Sequence, residues 1–499
     1  MRGQLVTIQD WLKYHPYFES SDIDVSYIKV ANKLYAQLTQ LNINELFDET
    51  GQKDELKRMS IYITCYLEDI VSELGIFEAF VRIYKENNTY AVPFYGGIDP
   101  YEEGDLNLCE VKLLLWHYLM QTRGLALQTL IHPYNEALER LAEVIFEILE
   151  DEFENVYINT KYQELLEFND DAPYTEISER LSDFGMGCYL FFFNEDEIRL
   201  RHLDVIQNFE TQEDREVFAH SEYLLYLHNI PVLLNKTTKQ WFAEMVKNET
   251  VKHFLRNTGR MFRGTFTLVS NESEFVYYKH IATGETIKAL KSTFPDVNDI
   301  PPIAMGSFLQ AEECWIVDGF IAETDADTLS KDVSEEESME INLTAKDSNY
   351  RDLISEQKQL FENLTEGVPF LLATNRKEAE LAYNVISNQD EVALSSEIKN
   401  GAIFFFNEKT GVTYTESGLE ALAFSTNEHY NPEAAQTKGL SILINYPENV
   451  IEHLLSNNLI PDVQINGQLG REILENEWRF LSGYLKQMNT REYRIQLDA

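Results

Sequence analysis

The sequence lacks the short motifs by which common enzymes and nucleotide-binding proteins are recognised. It contains no G-x-x-x-x-G-K-[ST] loop to hold phosphates, no G-x-G-x-x-G turn, no H-E-x-x-H zinc helix and no G-x-S-x-G nucleophile turn. Each absence excludes only the families that the motif defines, because catalytic residues scattered along a chain leave no local pattern. The sequence therefore identifies no catalytic residue, no cofactor-binding residue and no metal ligand.

Cysteine is scarce and widely spaced. The chain has four cysteines and no C-x-x-C pair; they are Cys65, Cys109, Cys188 and Cys314. Such spacing argues against a zinc knuckle and against a disulfide framework. Because most of them have apolar neighbours in the sequence, we expect buried, unreactive thiols.

Long apolar runs are also missing. No stretch of about 18 apolar residues occurs, and the first residues contain no apolar core of signal-peptide length. We therefore expect no membrane-spanning segment and a cytoplasmic protein.

Positive charge is in short supply. The 499 residues include 41 Lys and Arg against 84 Asp and Glu, which gives a formal net charge of −43. A surface this negative repels nucleic-acid backbones and anionic membranes and favours a protein partner with a basic surface. Solvation of a large surface is the simpler explanation of the same charge.

What the chain does contain is ample material for folded cores. Hydrophobic residues make up 44% and aromatic residues 12%, which excludes wholesale disorder. The length predicts three domains, or two with insertions. We expect an α+β multi-domain protein with a helical N-terminal domain, a small β-barrel in the middle and an α/β C-terminal domain.

Residues 1–235 are predicted to form the mainly helical domain. Apolar residues recur at steps of three, four and three within 135–155, namely at Leu138, Leu141, Ile145 and Ile148. Further helices are predicted over 22–40, 56–84, 108–123 and 211–227. The continuous apolar run at 188–193 predicts a strand. His117 follows Trp116 on an apolar helix, so we interpret it as a hydrogen-bonded core residue.

Residues 236–322 are predicted to form one helix and the small barrel. Thr237 or Thr238 is a suitable cap for a helix that continues to about residue 257. Short strands with turn residues between them are predicted over 264–270, 274–281, 285–291 and 314–321. Several strands within about sixty residues are typical of a small closed or half-open barrel.

Residues 323–349 are predicted to be an acidic linker before an α/β domain at 350–499. The run 323–340 contains eight acidic residues, one lysine and few apolar residues. Such a run cannot bury enough apolar surface to become ordered. The domain is predicted to contain helices at 350–364 and 468–488, strands at 369–373 and 440–446, and a hairpin of 402–406 with 412–415.

One segment departs from the acidic composition. Residues 236–294 contain ten Lys and Arg against five Asp and Glu, a local charge of +5. If the helix continued, Lys252, Arg256, Arg260 and Arg263 would stack on one face. They lead into the predicted barrel, where Tyr277 and Tyr278 could stack on bases, so this segment is a candidate nucleic-acid-binding site.

A structural interpretation of the same cations is the favoured one. Cations at a helix C-terminus complement the helix dipole, and Gly259 is a suitable end for this helix. In that case Arg260 and Arg263 would point elsewhere. The basic segment would then cap its helix or dock on the acidic surface of the chain itself.

Four segments resemble a known family. They are T-I-Q-D-W-L-K-Y-H-P-Y at 7–17, V-S-Y-I-K-V-A-N-K-L at 25–34, I-Y-I-T-C-Y-L-E-D-I at 61–70 and L-L-L-W-H-Y at 113–118. Together they resemble an uncharacterised domain-of-unknown-function family from Bacteroidetes. The resemblance implies no activity, cofactor or catalytic residue. Its most recognisable element is the cluster of Trp11, His15, Pro16 and Tyr17, which we interpret as an anchor that packs on the helical domain.

The leading functional hypothesis is a non-enzymatic binding or regulatory protein. Nucleic-acid binding through 236–294 is the first alternative, and an enzyme whose site leaves no sequence motif is the second. The acidic surface and the absence of reaction motifs favour the binding or regulatory protein.

Overall fold

The computed structural model describes residues 5–41, 46, 52–87, 92–95, 101–102, 104–124, 131–194, 212–281, 284–324, 348–387, 394, 398–407, 411–460, 464–465, 468–469 and 471–488. Helices and β-sheets both occur, so the predicted α+β class is confirmed. The chain divides into two compact units. The first contains Met1–Ile28, Glu68–Ala79 and Val156–Ala345; the second contains Lys29–Leu67, Phe80–Asn155 and Lys346–Ala499.

The α-helices of the described residues are α1 (Ile8–Leu12), α2 (Asp22–Leu38), α3 (Gln52–Val71), α4 (Ile76–Asn87), α5 (Leu108–Leu119), α6 (Glu136–Glu152), α7 (Thr160–Leu166), α8 (Tyr174–Gly187), α9 (Gln212–Asn229), α10 (Thr238–Met245), α11 (Glu249–Asn257), α12 (Ser348–Thr365), α13 (Arg376–Ser387), α14 (Pro432–Asn445), α15 (Glu448–Ser456) and α16 (Arg471–Met488). Within the described part of the chain, no helix is both long and apolar enough to cross a membrane.

The β-strands of the described residues are β1 (Pro231–Leu233), β2 (Lys236–Thr237), β3 (Met261–Asn271), β4 (Phe275–His280), β5 (Thr286–Leu290), β6 (Ile303–Gln310), β7 (Trp315–Glu323), β8 (Phe370–Ala373), β9 (Ala402–Asn407), β10 (Gly411–Thr415), β11 (Gln464–Ile465) and β12 (Gln468–Leu469).

Five strands of the first unit, β3 to β7, form a closed barrel. The order around it is β3-β4-β5-β7-β6, and β6 pairs with β3 to complete the ring. All pairs are antiparallel except β5 with β7, where Ala289 lies opposite Trp315. Alternate residues of each strand point inward, so the interior is filled by apolar side chains, among them Phe266, Val276, Tyr278, Ile287 and Phe308.

The second unit contains a three-stranded antiparallel sheet in the order β10-β9-β8. Phe361 of α12, Ala379 and Ile386 of α13 and Phe404 of β9 belong to one buried core. The predicted hairpin at 402–406 and 412–415 is confirmed, because Tyr414 pairs with Phe404 in the register of β10 and β9.

His117 of α5 is buried in the second unit, and its Nδ1 lies 2.8 Å from the hydroxyl oxygen of Tyr484 in α16. Burial lowers the pKa of His117 to about 3, so the imidazole is neutral at physiological pH. The prediction of a hydrogen-bonded core histidine is confirmed.

Two predicted helices are each broken into two. The helix predicted at 56–84 ends with α3 and restarts as α4, because the Asp69 carboxylate accepts hydrogen bonds from the backbone N–H groups of Ile76 and Phe77. The helix predicted from Thr237 to about 257 is capped by Thr237, as expected, but it stops at α10. Asn248 then caps α11 through the N–H groups of its first turn.

Two predicted strands are wrong. Residues 189–194 form a short 3₁₀-helix rather than a strand, and residues 440–445 belong to α14. The run at 188–193 is continuously apolar and the run at 440–446 is largely so, and short apolar runs occur equally in buried strands and in buried helices. For α14 the stronger signal was Asn431 followed by Pro432, which cap and begin the helix. Residues 325–347 of the predicted linker lie outside the described residues, whereas Glu323 belongs to β7 and residues 348–349 belong to α12.

Candidate functional site

The four predicted basic residues do not form one stripe. Because α11 ends at Asn257, only Lys252 and Arg256 are helical. Arg260 lies in the following loop, and Arg263 is in β3. The expected stacking of four cations on a single helix face is therefore wrong, as the structural interpretation of Gly259 had allowed.

Three of these four cations lie against carboxylates. The N–O distances are 2.8 Å for Lys252 and Glu249, 3.3 Å for Arg256 and Glu244, and 2.5 Å for Arg263 and Glu222. Arg263 is half-buried and also donates to the Ser221 hydroxyl at 3.1 Å. These neighbouring acids reduce the net positive charge that the predicted site would offer to a phosphate.

The two predicted tyrosines lie on opposite faces of β4. Tyr278 is fully buried in the barrel core, and its hydroxyl donates to the Pro301 carbonyl at 2.7 Å. Its ring therefore offers no exposed face to a base, which corrects the expectation for this residue. Tyr277 points outward, is half-buried, and lies directly opposite Lys288 of β5.

The outward residues of β4 and β5 form a surface that we call the β4–β5 face. Its members are Phe275, Tyr277, Lys279, Thr286, Lys288 and Leu290. The Lys288 ammonium lies 3.9 Å from the centre of the Phe275 ring, a cation–π contact. The face thus combines two aromatic rings with two lysines.

A buried polar network in the first unit was missed by sequence reasoning. His15, Asp24 and Glu68 are all buried, and one ligand-type atom of each lies within 4.8 Å of the others. His15 follows α1, Asp24 is in the first turn of α2, and Glu68 is near the end of α3. Their separation along the sequence left no local pattern.

His15 and Glu68 form a buried ion pair. The Nδ1 atom of His15 lies 2.9 Å from the Trp11 carbonyl oxygen, which can only accept, so Nδ1 carries a proton. Nε2 lies 2.6 Å from Glu68 Oε2. Burial alone would lower the pKa of His15, but the adjacent Glu68 carboxylate outweighs it and raises that pKa above 6.5.

Asp24 is surrounded by hydrogen-bond donors. Its Oδ1 accepts from Trp11 Nε1 at 2.9 Å and from the Tyr17 hydroxyl at 2.8 Å. Its Oδ2 accepts from the backbone N–H and the hydroxyl of Ser21 at 2.6 and 2.8 Å. Burial would raise the pKa of Asp24, but these four donors stabilise the carboxylate and lower it.

Asn159 completes the network. Its side-chain amide donates to Glu68 Oε1 at 2.7 Å and to the Tyr17 hydroxyl at 2.6 Å. Its backbone N–H donates to the Ser72 hydroxyl at 2.9 Å. The network therefore holds together the segments around positions 15, 68 and 159. Its polar groups would lose their hydrogen-bond partners if these segments separated.

The network does not fit a metal ion. His15 uses both ring nitrogens, and both oxygens of Asp24 and of Glu68 already accept hydrogen bonds. A cation would have to displace the Nε2 proton and several donors at once. We therefore assign these residues a structural role, in agreement with the interpretation of the Trp11 to Tyr17 cluster as an anchor.

The anchored segments display apolar side chains to solvent. Phe18 follows the buried Tyr17 and is 79% exposed, while Tyr157, two residues before the buried Asn159, is 67% exposed. Ile158 and Val25 are also exposed. Lys161 donates to the Glu19 carbonyl at 2.7 Å, which ties the two segments together. We call Phe18, Val25, Tyr157 and Ile158 the Phe18 patch.

A second buried carboxylate connects the barrel to helices of the same unit. Asp318 of β7 accepts hydrogen bonds from the Tyr174 hydroxyl at 2.5 Å and the Ser178 hydroxyl at 3.2 Å, both in α8. His228 Nε2 of α9 lies 3.5 Å away. Burial would raise the pKa of Asp318, but these partners outweigh it and lower the pKa.

Two surface cavities lie in the second unit. The larger, of about 390 Å³, is bordered mainly by acidic and polar residues, including Asp105, Glu150, Asp151, Glu154 and Asn155. The other, of about 270 Å³, is lined by residues that include Asn400, Glu416 and His429. His15, Asp24 and Asp318 belong to the first unit and border neither of these two cavities.

Comparison with known proteins places half of the chain in a family. Residues 6–253 match the family described as protein of unknown function (DUF3843). This confirms the resemblance to a domain of unknown function, and the matched residues include the buried network and the Phe18 patch. No curated protein and no solved structure matches the chain.

Proposed function

We propose that this protein is a non-enzymatic binding protein that docks a partner protein with a basic surface on the Phe18 patch. The observation that carries the proposal is an exposed apolar surface that a buried polar network holds in place.

The exposure of the patch is unfavourable unless something covers it. Leaving large apolar side chains in water forgoes roughly 1.5–3 kcal/mol of burial free energy for each. Scattered apolar residues are ordinary on a surface, but Phe18, Tyr157 and Ile158 lie on two segments joined by the Lys161 to Glu19 contact. Exposed apolar residues gathered on linked segments, rather than scattered singly, are typical of interaction sites.

The backbone under the patch is preorganised. Tyr17 and Asn159, which adjoin Phe18 and Ile158, are hydrogen-bonded to each other at 2.6 Å. Gly187 packs on the His15 and Pro16 backbone so closely that a Cβ atom there would lie 2.1 Å from it. A rigid surface loses little conformational entropy on binding, which favours affinity.

The charge of the protein favours a basic partner. The exposed acids Glu19 and Asp22 stand beside the patch within a chain of net charge −43. A partner segment that carries an apolar anchor and several Lys or Arg would be attracted at long range and would exclude acidic competitors.

Among the described residues, His15, Asp24 and Asp318 lie apart from the two cavities of the second unit, which favours a binding function over an enzyme. Active sites usually place titratable groups of displaced pKa inside a cleft. Here His15, Asp24 and Asp318 are used in internal hydrogen bonds of the first unit. A cytoplasmic location and the layout of a helical domain, a small barrel at 236–322, a linker at 323–349 and an α/β domain at 350–499 are parts of this proposal.

Site-specific photo-crosslinking tests the proposal. A benzoylphenylalanine at position 18 is expected to capture one dominant protein in the native cell, whereas the same group at Tyr101, an exposed aromatic residue of the other unit, is not. The captured protein is then purified, and its dissociation constant is measured with the wild type and with Phe18→Asp.

The expected result is a loss of at least about tenfold in affinity for Phe18→Asp, together with weaker binding at higher salt. Equal capture at positions 18 and 101, or an affinity that Phe18→Asp leaves unchanged, would contradict the proposal. Thermal unfolding of each variant serves as the control for folding.

A further inference from the structure

The order of the strands in the barrel is one that occurs in a class of ligand-binding barrels. Numbered within the barrel, its strands follow the order 1-2-3-5-4, with strands 3 and 5 parallel. This is the order of oligonucleotide- and oligosaccharide-binding barrels, in which ligands lie across the second and third strands. A strand order alone assigns no ligand, so the side chains at that place must decide.

The second and third strands are β4 and β5, and their outer surface is the β4–β5 face. Phe275, Tyr277 and Lys279 alternate along β4 and point outward, while Val276 and Tyr278 fill the core. Lys288 lies opposite Tyr277. The face therefore places an aromatic ring between two cations, within an otherwise acidic molecule.

We infer that the β4–β5 face binds short single-stranded nucleic acid, with a base on Tyr277 and phosphates at Lys279 and Lys288. Every base has a π-face that can stack on an exposed ring, whereas bases inside a duplex are inaccessible. An ammonium beside the ring neutralises the phosphate of the same nucleotide. A neutral ligand such as an oligosaccharide would gain no electrostatic attraction from the charge of the two lysines.

Acidic turns bound the face and limit the length of the ligand. Glu272 and Glu274 lie in the turn between β3 and β4, and Glu312 and Glu313 lie in the turn between β6 and β7. Ala289, which follows Lys288, pairs with Trp315 at the start of β7, and this pairing places the second turn close to Lys288. Phosphates beyond the face would meet these carboxylates, so we expect a footprint near the lower end of the roughly 4–16 nucleotides typical of such barrels.

This site differs from the one predicted from the sequence. Lys252 and Arg256 lie on α11 with carboxylate partners, so they are not needed for the inferred site. They provide a matched control, because replacing them by Glu changes the net charge by the same amount as replacing Lys279 and Lys288.

Fluorescence anisotropy with labelled oligothymidylates of about 4, 8 and 16 nucleotides tests the inference at low salt. The wild type is expected to bind all three with similar affinity per site and to bind a duplex at least tenfold more weakly. Lys279→Glu with Lys288→Glu is expected to abolish binding, while Lys252→Glu with Arg256→Glu retains it. Tyr277→Ala is expected to lose roughly 5- to 150-fold in affinity, which corresponds to one stacked base.

Salt titration gives a second readout. Lys279→Gln with Lys288→Gln should reduce the slope of log affinity against log salt by about 1.4, because each of the two phosphate contacts removed contributes roughly 0.7 with a single strand. No binding by the wild type at low salt, equal losses in the two Glu double variants, or affinity that rises steadily with length would each overturn the inference. Circular dichroism of every variant excludes unfolding as the cause of a loss.

Discussion

At the scale of single residues, the most consequential feature is the buried His15–Glu68 pair. Glu68→Gln is expected to lower the free energy of unfolding by roughly 1.5–3 kcal/mol, because burial then keeps the His15 imidazole neutral and the charge-assisted hydrogen bond to Glu68 is lost. Glu78→Gln is the matched control, since Glu78 is exposed; it should change stability by no more than about 0.5 kcal/mol. Urea denaturation measures both, and similar small effects of the two substitutions would refute the buried pair.

The same pair predicts a pH dependence. Because the folded-state pKa of His15 is raised above 6.5, its contribution to stability is fully present below pH 6.5 and is lost as pH rises through the folded-state pKa. The free energy of unfolding of the wild type should therefore fall between pH 6 and pH 9 by more than that of His15→Gln. The difference between the two curves is the quantity to measure, and parallel curves would contradict the raised pKa.

At the scale of elements, the break between α10 and α11 predicts whether a substitution at Asn248 raises or lowers stability. The side chain of Asn248 accepts hydrogen bonds from the N–H groups of Thr250 and Val251. Asn248→Ala should therefore cost about 1 kcal/mol through loss of the cap. In the continuous helix expected from the sequence, alanine at this position would stabilise instead, because it has the higher helix propensity.

Thermal unfolding separates these two outcomes. Asn257→Ala, at the other end of α11, is the control and should change stability by about 0.5 kcal/mol or less. An increase in melting temperature for Asn248→Ala would mean that the cap contributes nothing.

At the scale of the whole molecule, the predicted acidic linker is the expected point of first cleavage. Limited proteolysis should cut between Glu323 and Asn349 before any helix, because a segment with few apolar residues makes few protecting contacts. Mass spectrometry of the first fragments identifies the site. Resistance there with early cleavage inside 136–155, within α6, would contradict the predicted layout.

The net charge of −43 is a property of the whole molecule, and it has opposite effects on binding at the two proposed surfaces. A basic protein partner is attracted from a distance, whereas a nucleic acid must cross a repulsive field to reach the lysines of the β4–β5 face. We therefore expect nucleic-acid binding to weaken when other surface positions are made more acidic, as in the Lys252 and Arg256 variant, but only modestly.

The sequence by itself determined the elements whose signals are local. Amphipathic spacing located α6, turn residues separated β3, β4 and β5, and Thr237 stood at a helix start. It could not distinguish buried strands from buried helices at 189–194 and 440–445, because a short, largely apolar run suits both.

Only the tertiary structure decided which side chains meet. Glu68 and Asn159 reach His15 and Tyr17 across 53 and 142 residues, a pairing that no local pattern encodes. The two faces of β4 were likewise indistinguishable until barrel closure turned Tyr278 inward and Tyr277 outward. Local propensity acts over a few residues, whereas burial, charge pairing and strand order depend on contacts that form only when distant segments pack.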